Sequence, residues 1–306
     1  MQTTRYIVKR ILLAAVSLFA IVTITFFLMN LMPGDPFMSE KASEESRAIL
    51  IAKYGLDQPV YVQYVKYLEN LFHGDMGTSY VLQKGRAVRD IITESFTVSM
   101  KLGVKALVLA IVLGILLGCV SGLCKDRLPD GIIRVLSSLG ISMPGYVVAS
   151  GLMIILAVNL KILPVNFNKP GGSIMPVITL ALYPTSYLTR LTRASILEVM
   201  NQDYLRTERA KGMSEFVVVF VHALKNSLIP VITYLGPLTA SILTGGFVAE
   251  SVFNVPGLGR YFVSSISSRD YTMIMGVTIF YSALIIMMNL VCDILYKIVD
   301  TRITLD

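Results

Sequence analysis

The chain has 306 residues, 54% of them hydrophobic and only 15% charged, with a formal net charge of +7. Soluble domains are about 45–50% apolar and about 25% charged, so an aqueous globular fold is excluded. The apolar residues come in unbroken runs, not in alternation, which favours helical spans over a transmembrane barrel.

Six runs carry no charge: 11–32, 106–124, 135–160, 174–189, 226–249 and 271–292. About 20 residues at about 1.5 Å rise cross the hydrocarbon core, so the short fourth run must continue past Arg190 toward Leu197, its arginines snorkelling to the interface. The first run follows Arg5, Lys9 and Arg10 as a signal peptide would. It is too long for such a segment and lacks a small-x-small cleavage site, so it reads as an uncleaved first helix.

Residues 33–96 form an insert with helix signals of its own. Ser43 precedes Glu44 and Glu45 as a cap, and Gly55 is the stop. A second helix opens at Pro59, with Val60, Tyr64, Leu68, Leu71 and Phe72 on one face, and ends at Gly74. A loop follows over Gly74-Asp75-Met76-Gly77-Thr78-Ser79, and 84–95 forms a third short helix before the second span. The domain plan is therefore 1–32 (tail and first span), 33–96 (extracytoplasmic insert) and 97–306 (membrane core).

With the N-terminus inside, 14 Lys and Arg fall on the cytosolic side and 4 in the short outer loops, which sets the orientation as N-in and C-in. The positive charge is thus an orientation signal, and its dispersal around the spans argues against nucleic acid as a partner; membrane lipid is the surrounding medium. Cys119, Cys124 and Cys292 read as small buried hydrophobes. His73 and His222 have no metal-ligand spacing, and no metal site is expected. Breakers lie inside the spans at Met143-Pro144-Gly145, Tyr183-Pro184, Pro230, Gly236-Pro237 and Gly245-Gly246; such residues are tolerated where neighbouring helices or a water-lined cavity satisfy the freed backbone groups. Glu250 and Asp293 read as interfacial, so the carboxylates of a proton- or sodium-coupled carrier are missing from the spans.

The cytosolic segment 198–225 carries the functional signal. A helix starting near Asn201 or Asp203 would place acid at its positive end and present Arg206, Arg209 and Lys211, with Gly212 as its stop. A second amphipathic stretch follows, with Phe216, Val217, Phe220, Val221 and Leu224 apolar. The order Asp203-Tyr204-Leu205-Arg206-Thr207-Glu208-Arg209-Ala210-Lys211-Gly212 resembles the coupling loop of ATP-binding-cassette (ABC) importer permeases, in the form found in peptide permeases. The resemblance continues in register through Pro33-Gly34-Asp35-Pro36, Tyr54-Gly55-Leu56-Asp57-Gln58-Pro59, Gly74-Asp75-Met76-Gly77-Thr78-Ser79, Phe253-Asn254-Val255-Pro256-Gly257-Leu258-Gly259 and Arg269-Asp270-Tyr271. The chain is similar over nearly its whole length to the B-type membrane subunit of oligopeptide, dipeptide and nickel ABC importers, and closest in feature to the oligopeptide members.

That resemblance implies an all-α, six-helix permease of the type I ABC importer class in a prokaryotic plasma membrane. It implies a homologous C-type permease partner, two cytosolic ATPase subunits that bind ATP and Mg, an extracellular binding protein and a peptide substrate. Asp203, Tyr204, Arg206, Thr207, Glu208, Arg209, Ala210, Lys211 and Gly212 would form the ATPase-coupling site. Asp75, Gly77, Pro256, Gly257 and Gly259 would lie on the binding-protein side. Two positions depart from the family pattern: Glu208 replaces a small Ala, and Asp300-Thr301-Arg302-Ile303 lacks the usual Pro. No G-x-x-x-x-G-K-[ST] phosphate loop occurs, so ATP hydrolysis is expected of the partners and not of this chain. A dipeptide or nickel-chelate importer is the alternative within transport. A membrane-embedded enzyme is the distant one, since no paired carboxylates or Ser/His or Ser/Lys set stands at matching depth.

Overall fold

The computed structural model describes residues 2–31 and 44–299. Pro33-Gly34-Asp35-Pro36, the Ser43 cap and Asp300-Thr301-Arg302-Ile303 lie outside the described residues, as do the side chains of Cys292 and Asp293. In chain order the helices are α1 (Gln2–Leu31), α2 (Glu44–Lys53), α3 (Val60–Phe72), α4 (Val88–Leu123), α5 (Leu128–Ser142), α6 (Gly145–Leu152), α7 (Ile174–Met200), α8 (Asp203–Ala210), α9 (Glu215–Val217), α10 (Leu224–Ser227), α11 (Ile229–Gly245), α12 (Phe247–Val252), α13 (Leu258–Ser268) and α14 (Tyr271–Val299). π-Helical turns occupy Met153–Asn159 and Val218–Ala223. No strand occurs among the described residues, only an isolated bridge between Thr78 and Ala87. Four segments are long and apolar enough to cross a membrane: Lys9–Leu31, Val88–Leu123, Ile229–Val252 and Tyr271–Val291.

Several expectations change. The short helix expected over 84–95 and the second span are one continuous helix, α4, because no proline separates them and a lone Gly103 does not break the ladder. The third run is not a straight span: α5 and the α6–π segment meet at 106°. Pro144 explains the break, since its ring drives Met143 to an extended φ of −79° and ψ of 126° and removes an N–H from the ladder. On α3, Tyr64, Leu68 and Leu71 do pack inward, joined by Tyr67, but Phe72 is 85% exposed and Val60 40% exposed. The inward face thus runs 64, 67, 68, 71, and Phe72 stands about 100° past it.

The chain forms two compact units, one of Met1–Ser99 with Pro256–Met287 and one of Met100–Val255 with the last turns of α14. In the first, Val22 and Phe26 of α1 meet Met275 and Ile279 of α14 under the α3 face. A Thr23–Tyr64 hydroxyl contact of 2.6 Å adds a polar tie. Val88, Ile91 and Ile92 of α4 pack on Leu258 of α13 and on Met273 and Val277 of α14.

In the second unit, Ala106 and Ala110 of α4, Ala181 and Leu188 of α7, and Val231, Leu238 and Ile242 of α11 make the core. The α4–α7 contact is set by Gly114, Gly118 and Gly122, spaced four apart. A Cβ at each would stand 2.6 Å from Leu188, 2.5 Å from Thr192 and 2.9 Å from Ile196, closer than side chains tolerate. This is close packing of membrane helices through small residues. Gly140 of α5 performs the same service against Ser186 of α7.

Candidate functional site

The residues expected to couple to the ATPases gather on one short helix and its exit. α8 covers Asp203–Ala210, begins after an extended Gln202, and places Asp203 in its first turn, where the helix dipole favours a carboxylate. Gly212 adopts φ +81° as the stop that the sequence requires, with its N–H donating to the Arg209 carbonyl at 3.0 Å. Asp203, Tyr204, Arg206, Thr207, Ala210, Lys211 and Gly212 are exposed, while Glu208 and Arg209 are half-buried. Arg206 pairs with Asp203 at 3.4 Å and Lys211 with Glu208 at 3.0 Å. Glu208, the departure from the family pattern, therefore ties down Lys211 within α8 and its cap.

Leu205 holds this helix to the rest of the unit. It is fully buried among Val199, Met200, Val218 and Ala223. The side-chain amide of Asn226 adds a hydrogen bond to the Tyr204 hydroxyl at 2.8 Å. In the amphipathic stretch after α8, Val218 and Ala223 face inward, whereas the apolar Phe216, Phe220 and Val221 are exposed. The cause is the π-helical turn Val218–Ala223, which takes more residues per turn and rotates the apolar face.

α8 follows two residues after α7, and α7 is anchored by a buried ion pair. Asp130 of α5 has no exposed surface. It accepts hydrogen bonds from Arg193 Nε at 2.7 Å and Nη2 at 2.8 Å, from Ser121 Oγ at 2.6 Å and from the Asp126 N–H at 3.0 Å. Arg193 thus does not snorkel as expected; it is fixed by a carboxylate that sequence reasoning passed over. α4, α5 and α7 are locked together at the end from which α8 departs.

The motifs expected on the binding-protein side are organised around another carboxylate. Asp270, fully buried, accepts from Ser79 Oγ at 2.5 Å and from the N–H groups of Tyr80, Val81 and Leu82 at 3.1, 3.1 and 3.0 Å. It also receives the Met273 N–H at 3.3 Å, capping α14. The Arg269-Asp270-Tyr271 motif is therefore the clasp that holds the Gly74–Ser79 loop. Gly74 and Gly77 both take φ +78°, and Asp75 is exposed with a carboxylate oxygen on the Gly77 N–H at 2.8 Å. Asp75 and Gly77 border a cavity of ≈ 370 Å³ whose walls include Tyr54, Lys66, Tyr67 and Tyr271. Burial pushes the Tyr80 hydroxyl, on the same wall, up to about 12. Pro256 is half-buried, and Gly257 and Gly259 are buried, with Gly257 preceding α13. The Leu258 N–H donates to Ser99 Oγ at 2.8 Å. Glu250, expected at an interface, is buried in α12.

Residues 110–305 match the family described as binding-protein-dependent transport system inner membrane component, and residues 3–103 match its N-terminal membrane component. The chain is 43% identical over 303 residues to the dipeptide transport system permease protein DppB of Bacillus subtilis, covering 98% of each. It is 42% identical to the oligopeptide transport system permease protein OppB of Haemophilus influenzae, covering 98% of this chain and 99% of that one. Among solved structures, an amino acid ABC transporter with histidines aligns at a TM-score of 0.54 and 15% identity, over 68% of this chain and 94% of the other.

Proposed function

The chain belongs to the family of binding-protein-dependent transport system inner membrane components, and from that premise we propose that it is one permease half of an ABC importer for short peptides, driven through α8. It is a multi-pass protein of a prokaryotic plasma membrane with the type I importer permease fold. The permease itself is not catalytic; ATP and Mg belong to two cytosolic ATPase subunits. A homologous permease completes the path, and an external binding protein delivers substrate. α5–α6 and α7 complete six spans with both termini inside.

The observation that carries this reading is the construction of α8. A helix with exposed Arg206, Thr207 and Ala210 is fixed from beneath by Leu205 and leads directly from the clamped α7. An eight-residue helix is not stable alone in water, so this one exists because the permease holds it. A contact held in this way can pass a displacement of the ATPases into α7, whose two arrangements would be inward- and outward-open. Dipeptide and oligopeptide systems both appear among the relatives, which supports peptide as the substrate class, with oligopeptides as the first reading and dipeptides as the alternative.

The test is affinity purification of the tagged chain from membranes, followed by reconstitution with a binding protein. Recovery of a second permease and two ATPases, with hydrolysis stimulated by peptide-loaded binding protein, is expected. A complex whose hydrolysis and uptake ignore peptide would refute the substrate class; recovery of the chain alone would refute the importer assembly.

A further inference from the structure

α7 has 27 residues, about 40 Å at 1.5 Å rise, yet it does not have the composition of a lipid-facing span. One side is packed, with Leu188, Thr192 and Ile196 against the α4 glycines, and a flank between that side and Arg190 carries Ser186 against Gly140 of α5. The other side carries Tyr183, Tyr187 and Arg190 at i, i+4 and i+7, one stripe of a helix. Tyr183 is 49% exposed and Arg190 is exposed. Tyr187 stacks on Tyr183 at 6.5 Å and on Tyr234 of α11 at 4.4 Å. None of the three hydroxyls, nor the Arg190 guanidinium, has a hydrogen-bond or ion-pair partner among the described residues.

Tyr187 stands at the midpoint of α7, and Arg190 about one turn beyond it. A belt tyrosine turns its ring to the headgroups, whereas Tyr187 stacks across onto Tyr234 of α11, so an aromatic belt does not explain this stripe. Arg190 closes the charge-free run 174–189, and the same face carries the Tyr187–Tyr234 stack between two helices, which sets the stripe toward water or protein and not toward lipid. A permanent seam with another helix would use small residues, as α4 does against α7; bulky rings beside an unpaired guanidinium would leave polar groups unsatisfied there.

We propose that Tyr183, Tyr187, Tyr234 and Arg190 are this chain's wall of the substrate path, with Arg190 receiving the α-carboxylate of the peptide. The inference rests on the peptide-import reading above. A planar guanidinium matches a carboxylate with two parallel hydrogen bonds. Tyrosine faces and hydroxyls meet peptide groups of many kinds without demanding one side chain.

The test uses the whole importer in membrane vesicles, in a Cys119→Ser, Cys124→Ser, Cys292→Ser background. Tyr183→Cys and Arg190→Cys should react with a charged, water-soluble methanethiosulfonate. A transported tripeptide with binding protein and ATP should slow that reaction several-fold. Arg190→Gln should lower tripeptide uptake roughly tenfold or more, the loss of one charge-assisted contact, with Arg190→Lys recovering part of it. Thiols that stay unreactive in a complex importing tripeptide would overturn the proposal, because the partner permease would then cover the stripe. Labelling indifferent to tripeptide, together with wild-type uptake by Arg190→Gln, would overturn it as well. A complex that labels at these positions and imports no peptide would instead sink the peptide reading, and the assigned occupant with it.

Discussion

Replacing Leu205 by Ala should uncouple ATP hydrolysis from transport while leaving the ATPases bound. Leu205 is the fully buried residue of α8 and packs on Val199, Met200, Val218 and Ala223. Truncating a buried Leu to Ala costs about 2–5 kcal/mol, a transfer loss plus the cavity that remains. The better helix propensity of Ala returns only a few tenths of that. The other anchor, the Asn226–Tyr204 hydrogen bond, is worth about 1 kcal/mol and cannot compensate. At about 1.4 kcal/mol per tenfold, even the low end shifts the seated-to-unseated ratio of α8 by more than about tenfold. The exposed Arg206, Thr207 and Ala210 are unchanged, so co-purification should persist. The assay is peptide uptake per ATP hydrolysed in proteoliposomes. That ratio should fall severalfold in Leu205→Ala and stay near wild type in the volume-conserving Leu205→Met. A wild-type ratio in Leu205→Ala would refute the idea that seating of α8 transmits force.

Other outcomes follow from the same geometry. Gly118→Leu should prevent α4 from seating on α7, since even a Cβ there would stand 2.5 Å from Thr192 and 2.8 Å from the Thr189 carbonyl; loss of folded, monodisperse protein on size-exclusion chromatography is the readout. Asp130→Asn leaves Arg193 without its anion and should destabilise by about 3–5 kcal/mol, read as a lower melting temperature in detergent. Asp270→Ala leaves the Ser79 hydroxyl and the N–H groups of Tyr80, Val81 and Leu82 unpaired, and should expose the 74–82 loop to protease while the spans stay folded. Gly212→Asp forces a non-glycine residue to φ +81° in otherwise open space, so insertion should be normal and uptake impaired.

Much of the architecture was legible because lipid permits few solutions: charge-free runs marked α1, α4, α11 and α14, and Gly55, Gly74 and Gly212 marked helix stops. Tertiary contacts were less legible. Asp130 and Arg193 are 63 residues apart, and nothing local in either signals the other. Asp270 stands 191 residues from Ser79, and only the fold reveals that it organises the 74–82 loop. The four-residue spacing of Gly114, Gly118 and Gly122 was a readable signal of close helix packing that composition alone obscured. Leu205 was hidden by its neighbours: among Asp203, Arg206, Glu208, Arg209 and Lys211 it looked incidental, yet it is the residue by which α8 is held. The π-helical turn over 218–223 breaks the 3.6-residue period, so the apolar residues of 216–224 do not share one buried face.

The most direct test of the account is cysteine cross-linking from the exposed face of α8. In a background lacking the native cysteines, Thr207→Cys or Ala210→Cys should form a mixed disulfide with a cysteine placed in the ATPase surface. Closing it should arrest both hydrolysis and uptake, and reduction should restore them together. If α8 gives no cross-link in a complex that imports peptide, while Phe216→Cys or Phe220→Cys does, force enters through the following segment and α8 is not the coupling element.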